Sequence, residues 1–125
     1  MKSSTTSNAP GAIGPYSQGM VSAKLVFTSG QIPLDPKTGA IAGDTIEAQS
    51  EQALKNLQAV LEAGGASLQT VIKTTCFLAD MGDFAAFNAV YAKYFTGDCP
   101  ARSCVAVKTL PKNVLVEVEA IAEAL

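Results

Sequence analysis

Two hydrophobic periods alternate along the chain. Between residues 45 and 63, Leu54, Leu57 and Leu61 recur at three- and four-residue spacing, joined by Ala53 and Val60. That stripe predicts a helix with one buried face. Asp44 or Thr45 stands at its start, and Glu47 falls three residues after Asp44, as in a capping box. Gly64-Gly65 ends it. A second helix is predicted over residues 84–95, capped by Asp83, with Phe84, Phe87, Tyr91 and Phe95 at helical spacing. Asn88 lies four residues after Phe84 and shares that apolar face, so its amide needs partners, most simply the backbone of a neighbouring loop.

Elsewhere the period is two, or β-branched residues crowd together, and strands are predicted over 16–21, 25–31, 70–78, 102–108 and 114–122. Ser22-Ala23-Lys24 joins the first two as a hairpin. In the last strand Val116, Val118, Ala120 and Ala122 share one face, while Glu117 and Glu119 share the other with Leu115 and Ile121. Residues 1–9 read as a mobile or edge segment, 10–15 as a turn-rich lead-in, and 33–43 as a loop turning at Asp35-Pro36-Lys37-Thr38-Gly39. The order is ββαβαββ, an α+β fold in one domain over residues 1–125. Helices between strands imply crossovers, and a turn near Pro111 implies a second hairpin, so the sheet is expected to be mixed. With both helices on one face, the other needs cover, which association with further copies would supply.

Composition narrows the class. Apolar residues make up 48% and charged residues only 16%, which is a folded chain with apolar area to spare for subunit contacts. Net charge is −2 and no Lys/Arg run occurs, so binding driven by nucleic-acid phosphates is disfavoured. Cys76, Cys99 and Cys104, an odd count at irregular spacing, suit neither a disulfide framework nor a zinc site. No apolar run spans a membrane and no signal or transit peptide is evident, so a reducing cytoplasm is the expected location.

The chain has no histidine and a single arginine, Arg102. Without histidine, Ser-His-Asp, Cys-His and ribonuclease-type acid/base chemistries fall away, and no phosphate loop is present. Arg102 follows Pro100 where a turn gives way to a strand, and its planar fork of donors matches a carboxylate. A structural ion pair is the competing reading. The predicted final hairpin sets Arg102 across from residues 117–120, with Glu117 or Glu119 within reach; solvent-facing glutamates on an edge strand are the alternative. Cys104 shares the face of Arg102 and, lacking a histidine, reads as a pocket wall rather than a nucleophile. Gly30 ends its strand where another group can approach the backbone closely. Arginine for a carboxylate, glutamate for water and the hydroxyls of Tyr16 and Ser29 suit hydrolysis of a substrate that is already reactive.

Several segments together resemble the RidA/YjgF family. They are Asn8-Ala9-Pro10, Ile13-Gly14-Pro15-Tyr16-Ser17-Gln18-Gly19, Thr28-Ser29-Gly30-Gln31-Ile32-Pro33, Asp83-Phe84 with Asn88, Pro100-Ala101-Arg102-Ser103-Cys104-Val105, Leu110-Pro111-Lys112 and residues 116–122. The resemblance implies a chorismate-mutase-like homotrimer with a central β-barrel and clefts between subunits. It implies an enamine/imine deaminase that turns 2-aminoacrylate or 2-aminocrotonate into 2-oxo acids and ammonia, without metal or organic cofactor. It assigns the carboxylate grip to Arg102 and the attacking water to Glu117, and it places Tyr16, Ser29, Gly30, Asn88 and Cys104 in or beside the cleft. The alternatives are a metabolite-binding regulator, an RNA-cleaving translation inhibitor and a chaperone.

Overall fold

A computed structural model describes all 125 residues. Its elements are β1 (Lys2–Ser4), β2 (Gly19–Ser22), β3 (Leu25–Thr28), α1 (Ile46–Ala63), β4 (Val71–Leu78), α2 (Phe84–Tyr94), β5 (Ala101–Ala106) and β6 (Val116–Glu123). They form one six-stranded sheet in the order β1-β2-β3-β6-β4-β5. Only β4 and β5 run parallel, so the sheet is mixed as expected. The terminal segment supplies the edge strand β1.

The expected final hairpin does not form. β6 inserts between β3 and β4, antiparallel to both, and β5 pairs only with β4. The reason lies in burial. Val116, Val118, Ala120 and Ala122 are all buried, so the best-patterned strand takes the centre, where both of its ladders are satisfied. β5 is largely exposed and occupies the edge.

Both helices cover one face, and a single cluster of 19 buried residues joins them to it, with Leu54, Leu57, Leu61 and Phe87 among its largest members. The helix starts correct two expectations. Thr45, not Asp44, caps α1 by accepting from the Ala48 amide at 3.1 Å. Position N3 is then an alanine, so no capping box with Glu47 can close. Asp83 makes no side-chain cap; Asp80 instead accepts from Gly82 in a 3₁₀ turn that leads into α2. The opposite sheet face carries no helix. Phe27, Ile72 and Val105 stand 40–47% exposed there or at its edge.

Candidate active site

The centre of the site is an irregularity between β3 and β6. Phe27 lies opposite Ile121, whereas Gln31 lies opposite Val118. Four residues on one side match three on the other, so the chain bulges at residues 28–30. The Thr28 hydroxyl accepts from the Ala120 amide at 3.0 Å and repairs the ladder there. Gln31 and Val118 then resume pairing through bonds of 2.8 and 3.1 Å.

The bulge brings Gly30 under Glu117. A Cβ at Gly30 would lie 1.8 Å from Glu117 Oε2, so only glycine admits the carboxylate in this position. Burial pushes the Glu117 carboxyl above the usual range, and neighbouring Glu119 adds to the effect. Tyr16, Ser29, Ile13, Ile32 and Pro111 complete a cleft of about 330 Å³ around it. The Ser29 hydroxyl donates to the Ser17 carbonyl at 2.6 Å, and the Tyr16 hydroxyl accepts from the Ile13 amide at 3.3 Å. The sequence thus brought Tyr16, Ser29, Gly30 and Glu117 to one place.

Arg102, Asn88 and Cys104 lie elsewhere in the protomer. β4 separates β5 from β6, with Arg102 opposite Thr74, Thr74 opposite Ala120, and Glu117 opposite Phe77. Two strand spacings and three residues put the Arg102 and Glu117 Cα atoms roughly 14 Å apart. Their side chains also leave opposite faces: Arg102 meets α2, whereas Glu117 sits on the face without helices. The sequence expectation that a hairpin would join them is therefore corrected.

Arg102 closes no ion pair; the protomer's one salt bridge joins Lys93 to Glu51. Its Nη1 donates to Asn88 Oδ1 at 2.8 Å, and its guanidinium lies over Tyr91, Phe84 and Phe87. Asn88 serves this arginine rather than a loop backbone. Nε and Nη2 have no partner in the protomer. A shallow groove beside Arg102 is lined by Asn88, Tyr91, Phe95, Cys99 and Pro100. The Cys104 thiol is pushed up by burial, with Arg102 opposing; Cys76, fully buried, is pushed up to about 12. Neither favours a thiolate.

Sequence reasoning passed over three buried amides that frame the cleft. Gln18 donates to the carbonyls of Thr6, Ala9 and Pro10. Asn56 donates to those of Ile32 and Leu34, and Gln49 ties Gly43 to the Leu115 amide. Asn56 and Gln49 lie on the buried side of α1, and a polar residue within an apolar stripe was the available signal.

Comparison with known proteins supplies relatives along the whole chain. The family model described as endoribonuclease L-PSP matches residues 6–124. A protein named as a candidate regulator, AldR, from Lactococcus lactis is 54% identical over 98% of each chain. The 2-iminobutanoate/2-iminopropanoate deaminase of Salmonella typhimurium is 52% identical, covering 97% of this chain and 96% of its own. Among solved structures, Escherichia coli TdcF with bound serine superposes with a TM-score of 0.95 at 46% identity over the full length of both chains.

Proposed function

We propose that this chain, which belongs to the endoribonuclease L-PSP (RidA/YjgF) family, is a hydrolytic deaminase of small 2-imino acids. The observation that carries the reading is Arg102. A half-buried guanidinium, held by neutral groups and with Nε and Nη2 unpartnered, is a charge left ready for an anion from outside the protomer.

The site is completed between copies. In a homotrimer closed around its uncovered sheet faces as a barrel, the edge strand β5 of one copy would bring Arg102 and Cys104 to the Gly30 cleft of the next. The exposed Phe27, Ile72 and Val105 support such burial. Arg102 grips the carboxylate of 2-aminoacrylate or 2-aminocrotonate. The enamine takes a proton at its terminal carbon, gives one up from nitrogen and becomes an imine. Glu117 orients a water, whose oxygen bonds to C2 as the C=N π pair moves to nitrogen and takes up the proton the water loses. The carbinolamine then breaks its C–N bond, the hydroxyl proton passes to the departing nitrogen, and ammonia and a 2-oxo acid are released. A carboxyl raised by burial is suited to carrying a proton between these steps. Tyr16 and Ser29 line the cleft as hydroxyl partners. The reading uses no metal or organic cofactor and places the reaction in a reducing cytoplasm, where three free thiols persist.

The test mixes purified protein with a serine/threonine dehydratase and its amino acid and follows 2-oxo acid release. Acceleration is expected. Arg102→Lys keeps the charge but loses the fork, with an expected fall of about 10–100-fold in kcat/KM; full activity in that variant would sink the carboxylate grip. The AldR relative supports a second reading, a sensor of the same acids. Binding of 2-oxobutanoate without acceleration favours the sensor. RNA cleavage, named in the family description, finds less support in a chain without histidine and with net charge −2.

A further inference from the structure

An arginine on an edge strand has many rotamers to lose, and one hydrogen bond does not hold its plane. The Nη1 bond to Asn88 still allows the guanidinium to swing about that contact. The freedom is removed by a ring. Tyr91 lies with its centroid 4.8 Å from the Arg102 Cζ, closer than Phe84 at 5.5 Å or Phe87 at 5.9 Å. Tyr91 is itself held by three neighbours. It is buried, stacked on Phe95 at 4.4 Å and tilted against Phe87 at 5.6 Å. Its hydroxyl bonds the Thr74 hydroxyl at 2.8 Å. Thr74 is fully buried and is the β4 residue directly opposite Arg102.

Packing alone would be met by phenylalanine here, because a buried hydroxyl costs free energy unless it is bonded. The pair of hydroxyls instead ties the ring to the strand that neighbours the arginine. Residues 84, 87, 88 and 91 fall at successive helical steps on α2, so one helix face carries the amide and the three rings set against the guanidinium.

We infer that Tyr91, anchored by Thr74, is a positioning residue for Arg102: it fixes the guanidinium plane so that Nη1 goes to Asn88 and the Nε–Nη2 edge stays free for a carboxylate. The inference rests on the reading of Arg102 as the carboxylate grip. It adds that affinity depends on a hydroxyl pair buried in the core, which touches no ligand.

The sequence provides an unusually clean probe. As the only arginine, Arg102 gives a single side-chain Nε–Hε cross-peak in a ¹⁵N correlation spectrum. In the unaltered protein that N–H is expected to be rigid by ¹⁵N relaxation, with a strongly positive heteronuclear NOE, and its peak to shift on titration with 2-oxobutanoate. Tyr91→Phe and Thr74→Val each remove the tie while keeping the approximate shape. In both, the heteronuclear NOE should fall, the Kd for 2-oxobutanoate should weaken about 3–10-fold, and KM for the imine should rise similarly, with kcat within about twofold. The double variant should be no worse than either single one.

An unchanged heteronuclear NOE and unchanged Kd in the two variants, even with a lower unfolding midpoint, overturn the inference and leave Tyr91 as core packing. Should Tyr91→Phe fail to fold, Thr74→Val decides alone. If the unaltered protein neither binds 2-oxobutanoate nor hydrolyses imines, the deaminase reading fails, and the Nε–Hε relaxation of the free proteins still decides whether Tyr91 holds Arg102.

Discussion

Replacing Gly30 with alanine tests how closely the Glu117 carboxylate must be held. The backbone at Gly30 is not in the left-handed region, so alanine meets no conformational bar there. The obstacle is the carboxylate itself: the added Cβ would stand 1.8 Å from Oε2, 2.7 Å from Cδ and 3.0 Å from Cγ. Restoring even a 3.0 Å separation moves Oε2 by 1.2 Å, the difference between 3.0 and 1.8. The group that gives way is the end of a side chain, so the fold should survive. Alanine also narrows the unfolded ensemble, an effect of about 0.4–1 kcal/mol in favour of the folded state that offsets part of the strain. Function has no such relief, since a misplacement of about 1 Å in a reacting group can cost about 100-fold. We therefore expect Gly30→Ala to retain an unfolding midpoint near that of the parent and to lose about 100-fold in kcat for imine hydrolysis, with KM little changed. In a Glu117→Gln background the same substitution should cost far less, because the group it displaces has already lost its charge and basicity. Full turnover in Gly30→Ala would refute the reasoning, since Glu117 could then not be acting from its position above Gly30.

Two further outcomes follow from the same geometry. Glu117 has a raised folded-state pKa, so its burial favours the protonated form; stability is fully present below the ordinary carboxylate range and is lost as pH rises through the folded value. Glu117→Gln should therefore raise the unfolding midpoint at neutral pH, and the gain should vanish as a thermal scan series is taken down through the carboxylate range. Asn56→Leu leaves the Leu34 carbonyl without a donor and the Ile32 carbonyl with only the Leu34 amide, and should cost about 1–3 kcal/mol in denaturant unfolding; a loss below about 0.5 kcal/mol would show that water replaces the amide.

The helices were legible because their signal is local. The stripe from Ala53 to Leu61 predicted α1 and its buried face, and Gly64-Gly65 marked its end. The strands were legible too, though β2, β3 and β5 are shorter than their patterns suggested. Pairing was not, because a strand's neighbours are chosen by burial across the whole sheet rather than by the turn before it. Pro111-Lys112-Asn113 looks like a hairpin turn, yet it carries the chain past the end of β4 to the slot beside β3. That one error misplaced Arg102 relative to Glu117. It also hid the partner of Asn88, since only a parallel β4–α2–β5 crossover lays α2 over β5. Gly30 was read correctly as a place of close approach, whereas its visitor, Glu117, lies 87 positions further along the chain and depends on a bulge that no local pattern announces.

The central position of β6 also has a consequence in time. A chain leaves the ribosome in order, and β6 follows every other element of the sheet. Until it emerges, β3 and β4 lack the strand that pairs with both, and the core lacks Val116, Val118, Ala120 and Ala122. Sheets otherwise guard such edges with charge, bulges or cover, because they recruit stray strands. A nascent chain halted near Val114 would present two of them. The strand that closes the slot is also the one that carries Glu117 over Gly30, so the fold and its candidate chemistry are completed by the same late event.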